Sequence, residues 1–323
     1  MLAHGGAQIQ IEQTKIALAQ IGLPVENLRW WDDSQTADVL HFWGRMPITI
    51  LRLAQAKGMK VVVADLLTEQ GSRSPGRLRR QKMLSRILER TLPGSLVSQF
   101  NWESYRAADA CVALTTHEAN LMNYLFDAPR EKLHVVPNGV EEVFLEERPA
   151  TRGPWLICTA TITERKRVLE LAEAAVAAQT PLWIVGKPYS DTDPYSKRYL
   201  DLAARNPKIL RYEGPITDRA RMAQVYREAR GFALLSTMES LSLSALEAAA
   251  CKCPLLLSDL PWARTVFGDT VSYCPIADTT QTAPILRRFY DAAPTLPVPP
   301  KPLTWVEVAQ QLKKVYASLI NKS

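Results

Sequence analysis

No stretch of this chain approaches the roughly 18 consecutive apolar residues that a membrane-spanning helix needs, and the N-terminus has no signal-peptide pattern. The expectation is a cytoplasmic protein. Cysteine is scarce and odd in number, with five residues at Cys111, Cys158, Cys251, Cys253 and Cys274. Cys251 and Cys253 flank a single lysine, which is not a CxxC pair, and most of the five lie in apolar runs. Reduced core thiols are therefore expected, not a disulfide framework. Of the four histidines, His4, His117 and His134 lack metal-ligand spacing, and no metal centre is expected. No short-period repeat is present.

What remains is an ordinary globular composition, 47% hydrophobic and 22% charged, over 323 residues, enough for two domains with separate cores. The formal net charge of +6 has a local source. "SRSPGRLRRQKMLSRILER", residues Ser72 to Arg90, carries seven basic residues against one acid, Glu89, and so matches the whole excess.

Short apolar runs alternate with helical patterns along the chain, the mark of βα units and parallel sheets. "MLA" reads as the tail of a first strand. "GGAQIQIEQTKIALAQIG" reads as a glycine turn and a helix with Ile9, Ile16, Leu18 and Ile21 on or near one face. "NLRWW", "DVLHFW", "KVVVAD", "ACVALT" and "LHVVPN" read as further strands. After the polar linker "EERPATRGP" a second series begins: "WLICTA", "LWIVG", "ILRYEG", "GFALLS" and "PLLLS", with helical segments between them. A proline-rich stretch then leads to "LTWVEVAQQLKKVYASLI". Thr304 and Glu307 have capping-box spacing there, and Val308, Leu312, Val315 and Leu319 make an apolar stripe.

Two tandem α/β domains usually bind a ligand at the carboxyl ends of their strands, in the cleft between them. In "ESLSLSALEAAACKCP" Glu239 follows the strand "GFALLS", and Ser240 to Ser244 are expected to open a helix. A helix N-terminus seats a diphosphate well, because its amides are unpaired and its dipole end is positive. Eight helical residues rise about 12 Å, which would set Glu239 and Glu247 at the two ends of a nucleotide-sugar. Carboxylates suit vicinal hydroxyls because they accept several hydrogen bonds at once.

"ESLSLSALEAAA" resembles the E-x7-E signature of the retaining family 4 glycosyltransferases (group 1) with the GT-B fold. Other stretches resemble that family's landmarks in order: "HGGAQIQ", "HVVPNGVEEVF", "ITERKRVLELAEA", "LWIVGKP", "YEGPI" and "WVEVAQQLKKVY". The likeness covers nearly the whole chain and is strongest from His134 to about Pro275.

The fold it implies is α/β, two Rossmann-like doubly wound parallel-sheet domains facing across a cleft. Residues 1–147 would form the acceptor-side domain and 148–302 the nucleotide-sugar domain, with 303–323 a C-terminal helix crossing back to the N-terminal domain. The resemblance implies that Glu247 holds the ribose hydroxyls and Glu239 the donor sugar. Lys166 and Arg165 would neutralise the diphosphate, and backbone amides at Leu241, Ser242, Leu243, Gly5 and Gly6 would complete its seat. Gly186 and Ile216 would border the nucleotide. Glu239, Lys166 and His41 would be catalytic, with no metal and no cofactor beyond a UDP- or GDP-sugar donor. Retention is expected by front-face attack, the leaving phosphate accepting the proton.

Three positions depart from the family pattern. Ala160-Thr161 stands for the usual Gly-Arg before the lysine, leaving Arg165 or Arg167 to supply that charge. Ser242 replaces a glycine, and Trp43 replaces the second histidine of D-x-x-H-x-H. Two other activities fit the same fold: a nucleotide-sugar 2-epimerase and an inert nucleotide-sugar-binding protein. "DTD" at Asp191 to Asp193 lies in a polar loop and reads as loop chemistry. The Ser72–Arg90 segment reads as an amphipathic basic helix, with Arg79, Lys82, Arg86 and Arg90 on one side and Leu84, Ile87 and Leu88 clustered on another. No aromatics interleave with its charges, so nucleic-acid stacking is not expected. A solvated face and contact with an anionic membrane both remain, the latter placing the protein at the inner face. The acceptor is a lipid-linked, polysaccharide or small-molecule hydroxyl.

Overall fold

Runs such as "VVV", "LWIV" and "LLL" are apolar on both sides of a strand, so they suit parallel sheets covered by helices on both faces. The computed structural model describes residues 6–29, 31–190, 192–276 and 279–321. The chain divides into unit 1, Met1–Gly139 with Trp305–Ser323, and unit 2, Val140–Thr304. The divisions fall at 139/140 and 304/305, against the expected 147/148 and 302/303.

Unit 1 holds a parallel sheet of β1 (Val39–Trp43), β2 (Lys60–Ala64), β3 (Ala110–Ala113) and β4 (Leu133–Val135), in that spatial order. Its described helices include α1 (Gly6–Gln20), α2 (Ile48–Ala56), α3 (Pro75–Thr91) and α4 (Thr116–Phe126). Val61 and Val63 of β2, Leu51, Met122 and Tyr105 lie in its core. Buried Glu118 joins two strand ends, accepting from the amides of Leu67 at 2.7 Å and Leu114 at 2.8 Å.

Two expectations in this unit need correction, and a third lies outside what is described. Asn27 to Arg29 and Trp31 form no strand. On α1 the buried residues are Gln10, Thr14, Ala17 and Leu18, while Ile9 and Ile16 are exposed. The polar pair lines a cavity, described below. "MLA" falls outside the described residues.

Unit 2 holds six parallel strands in the order β10-β9-β8-β5-β6-β7. They are β5 (Leu156–Thr159), β6 (Leu182–Val185), β7 (Leu210–Tyr212), β8 (Gly231–Leu234), β9 (Leu255–Ser258) and β10 (Ser272–Cys274). Its described helices include α5 (Val168–Ala177), α6 (Pro194–Arg205), α7 (Arg219–Glu228), α8 (Leu243–Ala250), α9 (Pro261–Phe267) and α10 (Thr282–Ala292). The chain runs outward from β5 through β6 to β7, then returns to β8 on the other side of β5. That reversal makes β5/β8 the topological switch point, where open α/β sheets take their ligands. β10, α9 and α10 are not among the expected elements, although α10 carries an amphipathic pattern that buries Thr282, Leu286 and Phe289.

The final helix, α11 (Trp305–Ile320), belongs to unit 1 and packs on α1. Val308, Leu312 and Val315 are buried as its stripe requires, and Leu319 is half-buried.

Candidate functional site

At the switch point two loops meet. The loop after β5 makes a short turn over Glu164–Lys166, capped by Thr163, and the loop after β8 carries Thr237 to Ser242. The Thr237 amide donates to the Arg165 carbonyl at 2.8 Å, which fixes one loop on the other. On that frame the Lys166 ammonium pairs with the Glu239 carboxylate, and Arg165 stands 3.6 Å from the same carboxylate. Arg165 also donates to the Met238 carbonyl at 3.0 Å. Glu239 and Ser242 are buried polar residues, and Leu241 is buried beside them.

The helix begins later than its sequence suggests. Ser242 is the N-cap, its hydroxyl accepting from Ala245 N at 3.4 Å, and α8 starts at Leu243. Glu239 therefore precedes the helix, and the eight-residue helical rise between the two glutamates does not hold.

Glu247, on α8, is 7% exposed. Arg219 Nη2 donates to its Oε1 at 2.5 Å, and the Tyr226 hydroxyl donates to Oε2 at 3.3 Å. Burial pushes the Glu247 pKa up, and the Arg219 charge and hydrogen bond pull against that rise. Arg219 also donates through Nε to Glu141 Oε2 at 2.5 Å and lies over the Phe144 ring, 4.6 Å from its centre. The Tyr226 hydroxyl is 2.6 Å from Thr159 Oγ1 at the end of β5, and burial drives its pKa far up. Arg219, Tyr226 and Glu141 were not anticipated. One signal was available: an arginine at the first position of a helix opposes the dipole and calls for acidic partners.

Gly186 and Ile216 sit beyond β6 and β7. A side chain at Gly186 would put a Cβ 1.9 Å from the Ala160 carbonyl oxygen, so only glycine fits that close approach. Ile216 is half-buried. Of the two candidates to replace the absent arginine, Arg165 lies in the cluster. Arg167 takes a left-handed backbone, φ 52°, and is buried with its guanidinium donating to the Ile276 carbonyl at 3.0 Å, so it serves structure instead. Asp193 caps α6 by accepting from Ser196 N at 3.0 Å, and Asp191 lies outside the described residues.

In unit 1 a small cavity lies at the carboxyl ends of the strands, where Gln10, Thr14, His41 and Asp65 stand among apolar walls such as Leu114 and Val136. The His41 ring stacks on Trp43, with centroids 4.1 Å apart, and its Nδ1 shares a 2.5 Å hydrogen bond with the Tyr316 hydroxyl of α11. Its Nε2 is closed to solvent and has no hydrogen-bond partner among the described residues. Burial lowers the His41 pKa to about 3, so the ring is neutral near pH 7. Trp43, where the family has a second histidine, is its stacking partner. Gly6 is exposed at the start of α1, and Gly5 lies outside the described residues. Among the described residues no three His, Cys, Asp or Glu side chains could hold a metal ion together.

Two family models match the chain. Glycosyltransferase Family 4 takes residues 15–143 and Glycosyl transferases group 1 takes residues 153–291, so that together they span most of it. The chain belongs to the family 4, group 1 glycosyltransferases. A D-inositol 3-phosphate glycosyltransferase from Xylanimonas cellulosilytica is 27% identical over 186 residues, which cover 51% of this chain and 44% of that protein. The chain thus matches less than half the length of that curated relative.

Solved structures of other glycosyltransferases share the fold. The sucrose-phosphate synthase of Thermosynechococcus elongatus superposes with a TM-score of 0.68 at 16% identity, over 99% of this chain and 94% of that one. The pneumococcal O-GlcNAc transferase GtfA, in complex with UDP and GlcNAc, gives 0.60 at 13% identity, over 84% and 55%. The fold of this chain is GT-B, with two parallel-sheet α/β domains and a C-terminal helix that belongs to the first.

Proposed function

We propose that the protein transfers a sugar from a UDP- or GDP-sugar to a hydroxyl acceptor, with retention of configuration and without a metal. The observation that carries this reading is the meeting of Lys166, Arg165 and Glu239 at the β5/β8 switch point, directly ahead of α8. Two cations beside a helix start suit a diphosphate, and a nearby carboxylate suits sugar hydroxyls.

In this reading Lys166 and Arg165 neutralise the diphosphate, which the amides of Leu241, Ser242 and Leu243 also seat. Glu247 accepts from the ribose hydroxyls, and Gly186 and Ile216 border the nucleotide. Glu239 accepts from the donor sugar. The bond from the anomeric carbon to the diphosphate oxygen breaks as the acceptor oxygen bonds on the same face. The acceptor proton passes to the departing diphosphate, whose charge the two cations stabilise. The acceptor side is assigned to unit 1, whose cavity the neutral His41 lines.

The basic helix α3 gives this reading a membrane-facing aspect. Its inner face is Leu78 and Ser85, while Met83, Leu84 and Ile87 are exposed among Arg79, Arg80, Arg86 and Arg90. The helix sets Arg79, Lys82, Arg86 and Arg90 on one flank and Leu84, Ile87 and Leu88 on another, as expected, and exposed Arg79 and Arg86 and exposed Leu84 and Ile87 border one outward face from its two sides. We assign that face to an anionic membrane surface, where apolar side chains and cations act together.

The test is incubation with UDP- and GDP-sugars and mixed hydroxyl acceptors, followed by NMR of the anomeric signal. A product with the donor's configuration is expected. An inverted product would contradict retention, and isomerised donor without acceptor would mean epimerisation. Binding without turnover would leave an inert receptor.

A further inference from the structure

Each oxygen of a carboxylate has two lone pairs. On Glu247 the described residues take one on each: Arg219 on Oε1 and Tyr226 on Oε2. One lone pair per oxygen is left, the arrangement that two neighbouring hydroxyls require. The two donors are themselves held. Arg219 is anchored by Glu141 at 2.5 Å and by the Phe144 ring, and Tyr226 by Thr159 at 2.6 Å.

We propose that Arg219 is the positioning residue of this site, bridging Glu141 and Glu247 so that Glu247 stays an ionised carboxylate turned with its remaining lone pairs toward the ribose. The proposal rests on the assignment of Glu247 to the ribose. Arg219 touches no substrate in this scheme and acts through Glu247.

The charged and titratable groups around Glu247 are Arg219 and Tyr226 from α7, Glu141 from the segment after β4, and Cys251 at the end of its own helix. Glu141 is a like charge, which favours a protonated Glu247, and Tyr226 and Cys251 are both held protonated by burial. Arg219 is thus the cation opposing protonation there. Without it, Glu247 should take up a proton as pH falls, and a protonated carboxyl loses acceptor capacity for a ribose hydroxyl.

The experiment follows the Glu247 carboxyl by ¹³C NMR in wild type, Arg219→Gln and Arg219→Lys, with Glu247→Gln used to assign the signal. The same proteins are titrated with UDP-glucose and GDP-mannose from about pH 8.5 to about pH 6, a span over which loss of an opposite charge, worth 1–3 pKa units, is readable. In Arg219→Gln the Glu247 midpoint should rise by at least about one unit, and Arg219→Lys should restore most of that difference. Sugar-nucleotide affinity in Arg219→Gln should approach wild type at high pH and fall steeply as pH drops, by up to about tenfold per unit below the new midpoint. An unmoved midpoint would overturn the proposal. So would affinity lost equally at every pH, which marks a structural role, or affinity gained, which marks Arg219 as a competitor of the ribose. A midpoint that moves while Glu247→Gln binds as tightly as wild type would leave the electrostatic hold standing and remove the ribose assignment instead.

Discussion

Two buried glutamates with different partners should fail in different ways when truncated. Glu247→Ala removes the group we assign to the ribose, so nucleotide affinity should fall by about 1.5–3 kcal/mol, the worth of a charge-assisted hydrogen bond. Glu239→Ala, which frees Lys166, should lower turnover and spare nucleotide affinity; calorimetry and initial rates on both variants separate the two. The resemblance to the family marked this pair and Lys166 as candidates in the sequence. What it could not give was their pairing, because Arg219 lies 28 residues from Glu247 in sequence and its contact depends on how α7 packs on α8.

His41 gives a pH prediction with a definite sign. The folded state holds it neutral down to about pH 3, whereas the unfolded chain protonates near its ordinary value of 6.5. Its contribution to stability is complete above about 6.5 and drains as pH falls toward about 3, by at most ~1.4 kcal/mol per unit. Urea unfolding of wild type and His41→Gln at about pH 7 and about pH 5 checks this: the variant should lose less stability across the interval. Equal losses would mean that His41 charges in the folded protein.

At the scale of elements, the sequence was readable where a segment's own pattern decides its state. The apolar runs of β1, β2, β5, β6, β8 and β9 and the stripe on α11 are of this kind. It was unreadable where a neighbour decides: α1 buries Gln10 and Thr14 toward a cavity and α11 and leaves Ile9 and Ile16 out, against its own hydrophobicity. The start of α8 was misplaced for a related reason, since serines at 240, 242 and 244 are all capable caps and Ser242 takes the role. Leu312 of α11 is 3% exposed, so Leu312→Ala should cost about 2–5 kcal/mol in urea unfolding. A loss below about 1 kcal/mol would mean that α11 adds little to its unit.

At the scale of the molecule, the charge is the legible quantity. Most of the excess sits on α3, where exposed Met83, Leu84 and Ile87 stand beside the cations, and the proposed lipid contact uses both. Replacing Arg79, Arg80, Arg86 and Arg90 with glutamine should abolish binding to anionic vesicles at low ionic strength, since each cation near such a surface contributes about 1 kcal/mol. Nucleotide affinity should be unchanged. Wild-type protein that ignores those vesicles would make the helix a solvated face. The claim on which the rest depends is that unit 2 holds a nucleoside diphosphate at its switch point. Calorimetric titration of wild type and Lys166→Ala with UDP and with GDP tests it most directly. One nucleotide should bind wild type and bind the variant at least about tenfold more weakly, the loss of one charged contact. Failure of both nucleotides to bind, or equal affinity in the two proteins, would contradict it.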